Sequence, residues 1–323
     1  MIDHISWLRN GEIPDVPESR FIDTYWPKIS LVTPSFNQAK YLEKTIRSVL
    51  LQGYPNLEYI IMDGGSTDGS VEIIKKYAKW ISYWVSTKDN GQTDAIDRGM
   101  KQTTGELVNW LNSDDILLPN ALAEVASKFV STGARNGEAV FCGSGLYIDE
   151  YGKTIKELPI RFVEEHERIL PMTPPYTGGI QASYFLTRKA WFHLGGIDTK
   201  LDYTMDTDLY YRCQRNNFPF HPIKSNLAAY RVHQNTKTLG GWEKSIEFKK
   251  KFYTKQISEI SSPNQRYYAQ KVGLLLFGFC LNSITSQDNL IFRFRKILKG
   301  FMIYPQAIAH RHYIKRVVRL LIM

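Results

Sequence analysis

The chain has 323 residues, 43% of them hydrophobic and 23% charged, with a formal net charge of +9. That composition excludes a disordered chain and leaves room for one large α/β domain with an extension, or for two small domains. Residues 286–323 hold eight basic side chains against one acid, Asp288, a net +7 that leaves the rest near neutral, which weighs against a nucleic-acid binder and suits an anionic membrane surface.

Residues 1–27 are irregular, punctuated by Pro14, Pro17 and Pro27, and Trp7, Phe21, Tyr25 and Trp26 are expected to pack on the domain that follows. The first residues, Met1-Ile-Asp-His-Ile, lack the basic start and apolar core of a signal peptide. Cys142, Cys213 and Cys280 stand far apart with no metal-like spacing, as in a reducing compartment. Both points predict a cytoplasmic protein.

An alternating series follows. Strands are predicted at 29–33, 59–62, 81–85 and 107–111, and helices at 38–52, 71–77, 93–101 and 121–129. This order predicts a mostly parallel sheet with helices on both faces. After Phe129 the pattern changes. Residues 139–148 and 154–158 read as an antiparallel hairpin across Asp149-Glu-Tyr-Gly152-Lys. An extended run is expected at 179–186, short helices at 189–194 and 206–215, and a last strand at 226–232. From about Gly241 the pattern is helical.

The chemistry-bearing residues cluster where apolar runs end. Thr33-Pro-Ser-Phe-Asn37 closes the first strand, and Phe36 there suits either a flat base or simple packing. Asp63 closes the second, and Gly64-Gly65 leave backbone room beside it. Asp68 precedes a helical pattern and reads partly as a cap. Asp89-Asn-Gly-Gln92-Thr-Asp94-Ala95 opens the third helix, whose N-terminus favours an anion. Asp94 there is equally an ordinary first-turn acid. Asp114 and Asp115 abut the fourth strand. Paired acids at a strand end repel without a cation, so they are candidate ligands for Mg²⁺ or Mn²⁺. His233, just past the last strand, is a candidate third ligand, a diphosphate contact, or a satisfied polar residue. Asp206 heads a helix in Met205-Asp-Thr-Asp-Leu209, as a cap or as a general base.

Taken together and in order, Thr33-Pro-Ser-Phe-Asn37, Ile61-Met-Asp-Gly-Gly-Ser-Thr-Asp68-Gly69, Asp89-Asn-Gly-Gln-Thr-Asp-Ala95, Trp110-Leu-Asn-Ser-Asp-Asp115, Leu194-Gly-Gly-Ile-Asp198 and Met205-Asp-Thr-Asp-Leu209 with Arg212 resemble the family-2 inverting glycosyltransferases of the GT-A fold. The resemblance covers roughly 28–237. It implies a Rossmann-like nucleotide-sugar-binding α/β fold and transfer of a sugar from a UDP-sugar, with inversion, to a saccharide or lipid-linked saccharide. It places Pro34, Phe36, Asn37, Asp63, Gln92, Asp94 and Asp114 around the nucleotide sugar. It gives Asp114, Asp115 and His233 to a Mg²⁺ or Mn²⁺ ion, and Asp206 to the acceptor hydroxyl as base. Two departures stand out: Asn112 where relatives carry an acid, and Met205 before the base.

The expected organisation is an N-terminal extension (1–27), a catalytic domain (28–240) and a basic helical extension (241–323). The apolar run 272–281 is too short to span a bilayer. With the basic, apolar stretches near 290–303 and 314–321 it predicts peripheral attachment to the inner face of the membrane. The competing readings are a nucleotide-sugar hydrolase and a non-catalytic sugar-nucleotide-binding module.

Overall fold

A computed structural model describes residues 25–165, 168, 170, 173–201, 203–234, 236–237, 242–260, 262–284 and 288–322. The expected packing of Trp7 and Phe21 lies outside the described residues. The chain divides into two compact units that meet in sequence at His233 and Gln234, with a short piece around Leu170 joining the second.

The first unit is built on a nine-stranded mixed sheet. Its opening half comprises β1 (Ile29–Ser35), β2 (Leu57–Asp63), β3 (Tyr83–Ser86) and β4 (Leu107–Trp110), joined by α1 (Ala39–Leu50), α2 (Ser70–Tyr77) and α3 (Gln92–Lys101). These four strands are parallel in the order β3-β2-β1-β4. Continuous apolar runs make this possible because both faces are buried. Leu31, Tyr59 and Ile61 enter one core and Val32, Ile60 and Met62 the other. Gly99 lets α3 lie tight on β1, since a Cβ there would stand 2.5 Å from Val32.

The second half is formed by β5 (Ile116–Leu117), β6 (Val140–Ile148), β7 (Thr154–Leu158), β10 (Tyr184–Thr187) and β11 (Phe220–Arg231), with α4 (Ala121–Thr132) covering it and α5 (Arg188–His193) and α6 (Met205–Arg215) between β10 and β11. The sheet runs on from β4 as β10-β6-β11-β5, with β7 paired to β6. A separate two-stranded piece joins β8 (Arg161–Phe162) to β9 (Tyr176–Thr177). Two expectations need correction. Within the predicted extended run 179–186, Gln181–Ser183 form a 3₁₀ turn before β10 begins. The last strand starts at Phe220, not Asn226, and bulges on either side of Asn226; the bulges and Pro222 break its alternation.

The second unit consists of helices α7 (Trp242–Ser258), α8 (Ser262–Asn282), α9 (Leu290–Ile303) and α10 (Arg311–Ile322). Within the run 272–281 of α8, Val272, Leu276, Phe277, Cys280 and Leu281 are buried. Phe277 and Leu281 join Ile284, Ile297, Tyr304, Ala307 and Val317 in a core of their own. That run is therefore a packing element of this unit and is withdrawn from the membrane-attachment segments.

One polar cluster pins the edge of the parallel strands opposite their C-terminal ends. The Glu58 carboxylate accepts hydrogen bonds from Ser30 Oγ at 2.5 Å, Thr104 N at 2.7 Å and Thr104 Oγ1 at 2.6 Å, and pairs with Lys28 Nζ at 2.8 Å. Burial raises its pKa, but bonds from Lys28, Ser30 and Thr104 outweigh that and bring it down to about 2. The unfolded chain titrates near 4.3, so this stabilisation is complete above that pH and is lost as pH falls toward 2. Glu58→Gln should therefore lower stability at neutral pH by roughly 1–3 kcal/mol and flatten the acid limb of a urea-denaturation series between about pH 5 and about pH 2. An unchanged limb would remove Glu58 from the account.

Candidate active site

Parallel register gathers the strand ends at one edge. Ser35 pairs with Asp63 and Asp63 with Ser86, while Val32 pairs with Trp110 so that β4 delivers Asn112 just beyond. Strand order turns between β1 and β4, the place where open α/β sheets hold ligands.

Several acids at this edge shape the backbone. Asp63 Oδ2 accepts from Gly65 N (3.1 Å), Ser66 N (2.9 Å) and Ser86 Oγ (2.7 Å), and its Oδ1 from Ser66 Oγ (2.6 Å). Asn37 holds a left-handed backbone (φ 52°); its N–H donates to Ser66 Oγ and its Oδ1 accepts from Thr67 N. Asp68 caps two helices at once, accepting from Ala39 N and from Ser70 N. Asp94 accepts from Asn90 N and lies 3.8 Å from Arg98. Asp89, which sequence reasoning passed over, accepts from Gly91 N, and a Cβ on Gly64 would stand 2.8 Å from its Oδ2. Pro34 is buried in β1, whereas Phe36 is 60% exposed beside these loops.

The acid pair divides. Asp115 is buried: Oδ1 accepts from Arg231 N at 2.9 Å and Oδ2 from Asn112 Nδ2 at 3.1 Å. Gln92 Nε2 in turn donates to Asn112 Oδ1 at 2.7 Å. Burial, reinforced by the Asp114 charge, pushes the Asp115 carboxyl well above the usual carboxylate range against those bonds. Asp114 points elsewhere, with Oδ2 3.0 Å from His233 Nε2. The register of β11 explains this meeting. Ala229 pairs antiparallel with Ile116, so two residues further on Arg231 stands level with Asp114. Sequence reading treated the two acids as equivalent; the structure brings His233 to Asp114 and encloses Asp115.

Arg231 was missed as well. Its guanidinium is buried, with Nε donating to the Asp114 carbonyl (2.9 Å) and Nη1 to the Asp149 and Glu150 carbonyls (both 3.2 Å). Tyr41 packs on both, 5.2 Å from the guanidinium and 4.7 Å from the His233 ring centre. One turn along α1, Thr45 Oγ1 donates to the Ser113 and Asp115 carbonyls. The i, i+4 spacing of Tyr41 and Thr45 on an otherwise apolar face was the available signal.

Asp206 lies in the first turn of α6 (Met205–Arg215). Its Oδ1 accepts from Thr207 N at 2.7 Å, and Oδ2 accepts no hydrogen bond among the described residues. Asp208 is committed differently. It pairs with Arg212 Nε at 2.7 Å, and the same guanidinium donates to the Leu194 and Gly196 carbonyls. The chain turns there through two left-handed glycines, Gly195 and Gly196. One turn on from Asp206 in the same helix, the Tyr210 hydroxyl donates to the Gln181 carbonyl while Gln181 Nε2 donates to the Trp110 carbonyl. Among the described residues no three His, Cys, Asp or Glu side chains converge as a closed metal cage.

Residues 30–194 match the profile of Glycosyl transferase family 2. An uncharacterized glycosyltransferase of Rickettsia felis is 29% identical over 217 residues, which cover 66% of this chain and 35% of that protein. The GalNAc(5)-diNAcBac-PP-undecaprenol beta-1,3-glucosyltransferase of Campylobacter jejuni is 31% identical over 147 residues, 44% of this chain and 46% of that one. The chain thus spans about a third of the first relative's length and under half of the second's. Among solved structures, S. aureus TarS 1-349 in complex with UDP-GlcNAc superposes with a TM-score of 0.59 at 17% identity, over 87% of this chain and 81% of that one. The mannosyltransferase PcManGT from Pyrobaculum calidifontis, in complex with GDP-Man and Mn²⁺, gives 0.56 at 15% identity over 92% and 86%. At such identities the likeness is one of fold.

Arg231→Lys keeps the charge but loses the planar fork that serves three carbonyls. It should cost roughly 1–3 kcal/mol, and Arg231→Met, which takes the side-chain donors from the Asp114, Asp149 and Glu150 carbonyls, at least as much. Urea denaturation of both variants tests this; a Met variant as stable as the parent would refute it.

Proposed function

The chain belongs to glycosyl transferase family 2, and we propose that it moves a sugar from a nucleoside-diphosphate donor, a UDP-sugar, to a hydroxyl of a saccharide or lipid-linked saccharide with inversion, in polysaccharide or glycolipid assembly. The observation that carries this reading is the pairing of Asp114 Oδ2 with His233 Nε2, 3.0 Å apart, at the mouth of the parallel strands. Two donors on one ion at about 2.1 Å each and at right angles would be about 3 Å apart, so the pair fits Mg²⁺ or Mn²⁺. Such an ion would offset charge on the departing diphosphate. Asp115, with both oxygens bonded inward, is assigned to holding the turn and not to the ion.

Around that pair, Phe36 offers an exposed ring for a flat base, and Pro34 and Asn37 hold the strand end that presents it. Asp63 shapes the loop beside the base through its four internal bonds; Gln92 and Asp94 order the helix start next to the ribose. The UDP-GlcNAc complex of the TarS neighbour supports a uridine donor.

Asp206 is the base. Its unbonded Oδ2 takes the acceptor's hydroxyl proton as that oxygen attacks the anomeric carbon. The bond from that carbon to the diphosphate oxygen breaks, and the nucleoside diphosphate leaves with the electron pair. Asp208 cannot share the task while it is paired with Arg212. One base with no second carboxylate placed as nucleophile supports a single displacement, hence inversion.

Three measurements test these roles. Incubation with UDP-Glc, UDP-GlcNAc, UDP-Gal and GDP-Man in Mn²⁺ should raise the unfolding temperature with at least one UDP-sugar; protection by GDP-Man alone would overturn the uridine assignment. Asp206→Asn should retain that protection while turnover falls by roughly 10²-fold or more; normal turnover would make Asp206 a cap only. Asp114→Ala should abolish the metal-dependent part of donor protection, as should chelation of the native protein. Donor binding indifferent to both would remove the ion.

A further inference from the structure

Helix α9 is built inside out. Its inward side carries two cations, Arg293 and Lys296, only 6% and 4% exposed. Arg293 Nε donates to the Asp288 carbonyl at 2.8 Å; Lys296 Nζ reaches the Asp288 carboxylate at 2.9 Å and the Ser283 carbonyl at 2.5 Å. Its outward side carries Ile291, Phe294, Leu298 and Met302, which are 80%, 57%, 48% and 69% exposed. The spacing i, i+3, i+7, i+11 sets these four in one stripe. A chain that encloses charge and turns large apolar side chains to water does both against the usual preference. Such a contiguous stripe marks an interaction face.

Charge identifies the partner. Arg295 is exposed beside the stripe and pairs with Glu243 at 2.9 Å. In α10, Val318 is 50% exposed, with Lys315 and Arg319 exposed around it. From Ser286 onward the chain carries eight cations and one acid. A second copy seated on this stripe would press like charge against like. An anionic lipid surface accepts both features, the apolar side chains below the headgroups and the cations among them. No described helix is long and apolar enough to cross a membrane, so the contact is interfacial.

We propose that Ile291, Phe294, Leu298 and Met302 dock the second unit on an anionic bilayer surface, with α9 lying in its plane and Lys315 and Arg319 adding electrostatic attraction. The proposal is independent of the donor, the acceptor and the catalytic roles above.

The test is co-sedimentation of the full chain with vesicles of phosphatidylcholine alone, or of phosphatidylglycerol and phosphatidylcholine in equal parts. The native chain should pellet with the mixed vesicles, less so at high salt. The combined variant Ile291→Ser, Phe294→Ser, Leu298→Ser, Met302→Ser alters exposed side chains only, so its circular dichroism should match the native chain. Its partitioning should fall at least about tenfold. Lys315→Gln with Arg319→Gln should weaken binding several-fold on mixed vesicles alone. Equal pelleting of native chain and serine variant would overturn the proposal, as would a native chain that ignores phosphatidylglycerol. A native dimer that the serine variant turns into a monomer would assign the stripe to a second copy and overturn it equally.

Discussion

The first unit depends on one enclosed contact, the Asp115 carboxylate held against the end of β11. Its Oδ1 takes the Arg231 backbone N–H, and the Arg231 guanidinium returns to the carbonyls of Asp114, Asp149 and Glu150. Three chain segments far apart in sequence are thereby fastened at one point. These bonds, with the two that Thr45 Oγ1 donates to the Ser113 and Asp115 carbonyls, hold the turn 112–115 from which Asp114 projects toward His233. His233, two residues past the end of β11, arrives by the same register.

A general division follows among the acids. Asp63, Asp68 and Asp115 each have both oxygens occupied by N–H groups or hydroxyls, and Asp208 is held through one oxygen by a neighbouring cation. They act on the chain itself, closing turns and capping helices. Asp114 meets an imidazole, and Asp206 keeps one oxygen without an internal donor. Six carboxylates that look alike as residue types thus separate by where their hydrogen bonds go, a matter of backbone conformation more than of side-chain chemistry.

That separation also marks how far the sequence is legible. The alternating half reads well because strands buried on both faces need unbroken apolar runs, as in Tyr59-Ile-Ile-Met62, and because the helices carry one apolar face each. The two-residue strand Ile116–Leu117 leaves no periodic trace, and Pro222 with the bulges around Asn226 hides the first half of β11. The site residues are nameable as types at strand ends. Their partners are not, since Asp114 and His233 lie 119 positions apart and only the pairing of Ala229 with Ile116 makes them neighbours. The same holds for α9: mixed basic and apolar residues are visible, but not that Lys296 turns inward with Ile297 and meets Asp288.

The Arg212 clamp carries a consequence for how such a protein can diversify. Because Arg212 grips the Leu194 and Gly196 carbonyls while holding Asp208, the glycine turn and the helix bearing Asp206 form one mechanical piece. Thr199, Lys200, Leu201 and Tyr203 lie between those fixed points. Substitutions at the exposed Thr199 and Lys200 can recontour the surface ahead of Asp206 while the Arg212 bonds still hold its helix. The contour beside Asp206 and the orientation of its helix are thus set by separate residues, and the first can vary while the second stays in place.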